Sequence, residues 1–253
     1  MSTEMMPTQW LAHWRANPQT RIRLFCFPYA GGSAAIFRTW ADVLPKFIEV
    51  CPVELPGRGA RLREEPVADF SKLVHLTAAG LLSFLNKPYV FFGHSLGALI
   101  AFELARYFRK QGLPEPVRLF ASGHTAPDFP AVHAPIHHLP DPEFLAELRS
   151  LNGTPEAVLA NRELMELLLP ILRADFAINE TYVCEPDAPL NLPISVYGGL
   201  RDRDVTRESL EAWKKHTRAE FTLQMFNGDH FFLQNNQQTL LEILARELFQ
   251  YTK

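Results

Sequence analysis

One serine, one histidine and two aspartates stand in this chain at spacings that suit nucleophilic catalysis. Ser95 is the centre of GHSLG (93–97), a G-x-S-x-G pattern, and the apolar run YVFFG (89–93) leads into it. A buried strand, a glycine-rich turn and an immediate helix form the context in which this pattern presents a serine hydroxyl on a sharp elbow. Gly93 and Gly97 then have a steric role, because side chains there would crowd the adjoining strand and helix. The helix beginning after Ser95 also points its free N–H groups and positive end at the serine oxygen.

A serine hydroxyl is a weak nucleophile at neutral pH and needs a base. Of the nine histidines, His230 in FNGDHFFL follows the run FTLQMF and precedes the last helical stretch. That is the place of the base in the chain order serine, acid, histidine of the α/β hydrolases. His94 lies inside the elbow, where packing or a hydrogen bond beside the turn suits it better. His124 follows a strand and reads as structural, while His133, His137 and His138 read as surface-loop residues that reach the site only if their segment folds over Ser95. For the acid, ISVYGGLRDRDVT offers Asp202 and Asp204 shortly after a strand. A carboxylate there accepts the second N–H of His230, fixes its tautomer and stabilises the imidazolium. Asp202 is favoured, since it falls three residues after Gly199 and three before Val205, similar to a G-x-x-D-x-x-V turn of many α/β hydrolases; Asp204 is read as a solvated loop charge.

An acyl-transfer site also needs N–H donors where the carbonyl oxygen becomes negative. One is expected from Leu96, the residue after the nucleophile. The other is expected from the turn FPYAGGSA (27–34) after the early run IRLFCF, with Ala30 as the donor and Tyr29 and Gly31 as neighbours that could shift the assignment by one. A phosphate-binding reading of AGGS is weaker, because neither the Walker lysine nor a G-x-G-x-x-G spacing accompanies it.

The elements that must position these groups can be read from the same sequence. IRLFCF (22–27), IEVCPVEL (48–55), YVFFG (89–93), VRLFAS (117–122), PISVYGG (193–199) and FTLQMF (221–226) have the length and closure of buried strands. Helix-period stretches at 71–85, 96–112, 207–217 and 238–251 alternate with them. Such alternation predicts an α/β fold with a mostly parallel sheet and helices on both faces. Between about 126 and 189 no strand is predicted. Two or three amphipathic helices, punctuated by Asp141 or Asp175 and by prolines, are expected there as an insertion over one edge of the sheet. The length fits one domain, 1–253.

Composition narrows the function classes. The 253 residues are 47% hydrophobic and 21% charged with a formal net charge of -3, which is globular and carries no basic footprint for nucleic acid. No apolar stretch is long enough to span a membrane, and MSTEMMPTQWLAHWRANPQTR lacks the pattern of a secretory signal, so a cytoplasmic location is expected. Cys26, Cys51 and Cys184 read as small buried hydrophobes. With no CxxC or HExxH present, a metal is not expected.

FPYAGGSA, ELPGRGARLREEP, GHSLGALIAFELAR, NGTPEAVLANRELMELLLPILRADF, GGLRDRDVT and GDHFF together resemble the type II thioesterases. These are the free-standing α/β hydrolases associated with nonribosomal peptide and polyketide synthases, and the medium-chain acyl thioesterase of fatty acid synthesis is similar. The resemblance runs from about Leu24 to Phe232. It implies the α/β-hydrolase fold, with the 126–189 insertion as a lid, and hydrolysis of acyl thioesters on the phosphopantetheine arm of acyl or peptidyl carrier proteins, which regenerates blocked carriers. Residue by residue it implies Ser95 as nucleophile, His230 as base, Asp202 as acid, and Ala30 and Leu96 as oxyanion donors; many relatives have methionine where Leu96 stands. No cofactor is implied, and a monomer is expected. Arg58, Arg61 and Arg63 in ELPGRGARLREEP are read as a solvated basic rim, or alternatively as a surface that meets an acidic carrier or its phosphate. A carboxylesterase or acyltransferase would use the same triad, whereas a binding protein on this fold would be expected to have lost a triad member.

Overall fold

A single parallel sheet organises the computed structural model, which describes residues 7–151 and 156–252. The first residues MSTEMM and the NGTP that opens one of the resemblance motifs lie outside the described residues. The strands are β1 (Ile22–Phe27), β2 (Ile48–Pro52), β3 (Tyr89–His94), β4 (Leu119–Ser122), β5 (Ile194–Gly199) and β6 (Phe221–Phe226). They lie in the order β2-β1-β3-β4-β5-β6, and every neighbouring pair is parallel. All six predicted strands are present. The second is shorter than expected, ending at Pro52, although the Val53 N–H still donates to the Cys26 carbonyl.

Helices follow as α1 (Trp40–Val43), α2 (Phe70–Leu81), α3 (Leu96–Lys110), α4 (Asp141–Ser150), α5 (Glu156–Leu159), α6 (Arg162–Thr181), α7 (Arg207–Glu211), α8 (Phe232–Asn235) and α9 (Gln237–Leu248). Alternate strand residues feed two cores, as a two-residue period requires. Phe25, Phe27 and Phe91 pack with α2 and α3 on one face, and Leu24, Cys26, Val90 and Phe92 pack with Trp40 and α9 on the other. Every residue of β1, β3, β4 and β5 is buried, the mark of strands covered on both faces.

The segment between β4 and β5 carries α4, α5 and α6 around a small core of its own, made by Phe144, Leu148, Leu159, Met165 and Leu172. Two expectations for it are corrected. Asp175 does not end a helix; it lies inside α6 and is buried. Pro170 also sits within α6, where a missing N–H costs about 3 kcal/mol in a helix interior. Met165, Ile171, Leu172 and Ile178 are buried along α6 and hold it across the proline, so packing outweighs the local penalty. Of the cysteines, Cys26 and Cys51 are buried as expected, but Cys184 is only partly covered and lies 3.7 Å from an Arg106 guanidinium nitrogen. Among the described residues, no helix is long and apolar enough to cross a membrane.

Candidate active site

The strand order reverses at β1. The chain passes from β1 outward to β2 and then returns to place β3 on the other side of β1, a switch point of the kind that opens a crevice at the carboxyl ends of the strands. Phe27 is paired with Gly93 there, so the 28–32 loop and the Ser95 turn leave the sheet side by side. Ser95 stands between β3 and α3 with φ 52° and ψ −124°, one of two non-glycine residues with positive φ among the described residues. This backbone costs on the order of 1–3 kcal/mol and persists because the surroundings fix it. Its N–H donates to the Ser122 carbonyl at 2.7 Å, and its carbonyl accepts from Ala98 N–H at 2.8 Å. A Cβ at Gly93 would overlap the Gly97 carbonyl, and one at Gly97 would overlap the Phe27 carbonyl. The two glycines let β1, β3 and α3 meet closely enough to form the turn.

Asp202 and His230 meet across the loops after β5 and β6. His230 Nδ1 lies 2.8 Å from Asp202 Oδ2, with the carboxylate side chain 1% exposed and the imidazole 26% exposed. The other oxygen, Oδ1, accepts the N–H groups of Asp204 and Val205, both at 3.1 Å. These bonds fix the carboxylate plane, and the imidazole nitrogen facing it must carry the proton, which leaves Nε2 as an acceptor. Asp204 is directed elsewhere: its carboxylate is 2.8 Å from His133 Nε2, and both side chains are well exposed.

The loop after β1 is fixed from above by the insertion. Gly31 N–H donates to Asp175 Oδ2 at 2.7 Å, and Gly32 N–H donates to the Tyr29 carbonyl at 2.8 Å. Neither of the loop's two glycine N–H groups is therefore free to bind a substrate oxygen. Ala30 N–H has no such bond among the described residues, and Leu96 is the first residue of α3, where helix N–H groups have no intrahelical partner.

The remaining histidines separate by environment. His94 is fully buried, with Nδ1 2.9 Å from Ser122 Oγ and its ring 5.3 Å from that of His230. Burial, and then the neighbouring His230, hold its pKa well below the ordinary histidine value. His124 is held by the Thr125 carbonyl and Asn179. His137 pairs with Glu180, and His138 packs its ring against that of His137. None of these takes the place of His230 beside Asp202.

The basic-rim expectation is overturned for two of its three arginines. Arg58 and Arg61 are each only 4% exposed. Arg58 grips Asp175 with both Nη atoms, at 2.6 and 2.8 Å. Arg61 pairs with Glu64, donates to the Glu54 carbonyl and lies 3.9 Å over the Trp10 ring. Neither guanidinium is available to a carrier protein, and only Arg63 remains at the surface. The role of Asp175 went unread in the sequence, because its partner stands 117 residues away and no local pattern links them.

A parallel sheet with this strand order, a positive-φ serine at a strand–helix junction and an aspartate–histidine pair on the last loops define an α/β hydrolase. Residues 22–248 match the family model described as a thioesterase domain. The chain is 46% identical over 252 residues to a Brevibacillus parabrevis protein named linear gramicidin dehydrogenase LgrE, covering 98% of this chain and 96% of that one. It is 45% identical over 240 residues to the gramicidin S biosynthesis protein GrsT of Aneurinibacillus migulanus, covering 95% and 94%. Among solved structures, the type II thioesterase BorB from the borrelidin biosynthetic cluster superposes with a TM-score of 0.84 at 34% identity, over 95% of this chain and 96% of that one. The chain belongs to the thioesterase family, as a type II thioesterase, and is a thioester hydrolase. A dinucleotide fingerprint to go with the dehydrogenase in the first relative's name is missing: G-x-G occurs only at 57–59, with Leu62 where the third glycine would stand.

Proposed function

We propose that this protein hydrolyses acyl thioesters borne on the phosphopantetheine arm of carrier proteins, and so regenerates carriers blocked during nonribosomal peptide or polyketide synthesis. Ser95 is the nucleophile, His230 the general base and acid, Asp202 the orienting carboxylate, and the Ala30 and Leu96 N–H groups the oxyanion donors. The observation that carries this reading is the 2.8 Å contact from His230 Nδ1 to a buried, doubly anchored Asp202. It supports a proton on Nδ1, which leaves Nε2 as the nitrogen that can accept one. The pathway context rests on the relatives: one is named for gramicidin S biosynthesis, and BorB is a type II thioesterase from a biosynthetic cluster.

In the first half of the cycle Ser95 Oγ attacks the thioester carbon while His230 Nε2 takes its proton. The oxygen that becomes negative is met by the two backbone donors. The C–S bond then breaks, and the departing sulfur receives the proton from His230. Water enters, loses a proton to His230 and attacks the acyl-enzyme. Ser95 recovers its proton as the free acid leaves. No group beyond the chain and water is needed to balance these steps. The α4–α6 insertion serves as the lid over the acyl chain, and the expected setting is a cytoplasmic monomer acting on separate carrier domains.

The test compares kcat/KM for one short acyl group on a holo carrier protein, as a coenzyme A thioester and as an oxygen ester, with Ser95→Ala as the blank. The expected result is a clear preference for the carrier-bound thioester and no turnover by Ser95→Ala. Equal or faster cleavage of the oxygen ester would make the protein a general esterase, and transfer of the acyl group to an added alcohol in preference to water would make it an acyltransferase.

A further inference from the structure

Asp175 binds the insertion to the loop that carries the proposed oxyanion donor. It lies in the middle of α6, is 1% exposed, and receives three bonds from outside its own helix. Gly31 N–H donates to Oδ2 at 2.7 Å, Arg58 Nη1 donates to the same oxygen at 2.6 Å, and Arg58 Nη2 donates to Oδ1 at 2.8 Å. Arg58 Nη1 also lies 3.2 Å from the Gly32 carbonyl, so the guanidinium bridges α6 and the loop. One turn earlier on α6, Leu172 rests on Gly31: a Cβ built there would come within 2.6 Å of Leu172 Cδ2, and Gly31 has φ +73°. The Gly31 N–H and the Ala30 carbonyl lie in one peptide plane, which is joined through the Ala30 Cα to the plane carrying the Ala30 N–H, so holding Gly31 restricts that N–H to what the two Ala30 torsions allow.

We infer that Asp175 and Arg58 are positioning residues that make the oxyanion site conditional on the seating of α6: the Ala30 N–H is aimed at the substrate oxygen only while Asp175 holds Gly31 and Arg58. The inference rests on the proposed role of Ala30. Its physical basis is that the three bonds to Asp175 and the Leu172 contact all cross from α6 to the loops after β1 and β2, and among the described residues the Asp175 carboxylate has no bond to another side chain of the insertion. Lifting α6 to admit an acyl chain therefore removes the Gly31 acceptor, the Arg58 bridge and the Leu172 packing in one movement. Stability alone is a poor reason for such a pair, since well-packed apolar replacements of buried ion pairs are often neutral or stabilising. Directional control of a backbone N–H is something that only the polar pair supplies. The device matches chemistry to closure: the serine acylates efficiently once the insertion has come down on a bound chain.

The experiment uses the double variant Arg58→Met with Asp175→Leu, which removes both charges and keeps apolar volume beneath α6. The single change Asp175→Asn strands the Arg58 charge in the interior and is expected to lower the melting temperature, so the double variant carries the test. Turnover is measured on a short acyl coenzyme A thioester, normalised to active sites titrated with a fluorophosphonate, and inhibition is measured with butylboronic acid, which forms a tetrahedral adduct on an active serine. The expected outcome is a melting temperature at or above that of the parent, kcat lower by about 10- to 100-fold, and KM changed by less than about threefold. The boronic acid inhibition constant should rise by the same factor as kcat/KM falls. A merely structural role would change the number of active sites and leave both constants per site intact. Ser95→Ala is assayed alongside. If it is inert while the double variant folds and keeps kcat and the boronate constant within about twofold of the parent, the inference is overturned and the site reading stands. Turnover by Ser95→Ala would overturn the site reading and this inference with it.

Discussion

Replacing Asp202 by asparagine should abolish most activity while leaving the fold in place. The carboxylate has two separable duties. Oδ1 accepts two backbone N–H groups at 3.1 Å, which an amide oxygen can still do, and Oδ2 faces His230 Nδ1 at 2.8 Å, where the amide would present an NH₂. Two donors cannot face each other, so the imidazole shifts its proton to Nε2 and can no longer accept one from Ser95. Loss of a triad acid in this manner lowers kcat by about 10⁴, equivalent to about 5 kcal/mol at the transition state. The same change at Asp204 removes only an exposed contact with His133, and exposed pairs are worth about 0–1 kcal/mol. Thiol release from a coenzyme A thioester, followed colorimetrically, measures both variants, and near-ultraviolet dichroism checks their packing. A ratio between them of about 10³ or more is expected. A folded Asp202→Asn protein within about tenfold of the parent, or a larger loss at Asp204, would refute the reasoning from carboxylate geometry.

Other consequences can be tested on the same scale. Gly97→Ala places a Cβ against the Phe27 and Pro28 carbonyls and should cost about 1–3 kcal/mol in chemical denaturation, together with activity, because the clash pushes on the loop bearing Ala30. Arg61→Ala should lower stability by about 2 kcal/mol through loss of the Trp10 contact and the Glu54 bond, with no change in preference for carrier over coenzyme A substrates; a selective loss on the carrier would restore a docking role. His94 is held neutral in the folded protein but titrates near 6.5 when unfolded, so its contribution is fully present above that pH and is lost as pH falls from about 6.5 toward its depressed folded value. The melting temperature should therefore decline below about pH 6.5, less steeply in His94→Gln; an identical slope in the variant would remove His94 as the cause.

Much of the architecture was legible because its signals are local. Short apolar runs closed by glycine or proline marked all six strands, and three-to-four-residue periodicity marked the helices between them. GHSLG placed between a strand and a helix specified the Ser95 turn, since the glycines and the abrupt change of period belong to the same few residues. The order of Ser95, Asp202 and His230 was likewise available, although the sequence ranked Asp202 above Asp204 only by a short motif. Helix boundaries were less legible where α6 runs through Pro170, because what sustains it there is the burial of side chains on both sides of the proline, Met165, Ile171, Leu172 and Ile178 among them, and burial is set by the fold.

What tertiary structure alone decided is which distant polar groups meet. In sequence, Arg58 and Arg61 lie in a turn rich in charge and glycine, a composition that reads as solvated; in the fold both are buried against partners. A charge enters the interior only where a specific counter-charge awaits it, and that condition has no period or local spacing. Asp175 meets it for Arg58 from 117 residues away, because the insertion folds across the end of the sheet. The sequence by itself determined the elements and the chemistry each loop could offer. The packing of α6 over the first loop decided how one of those loops is held.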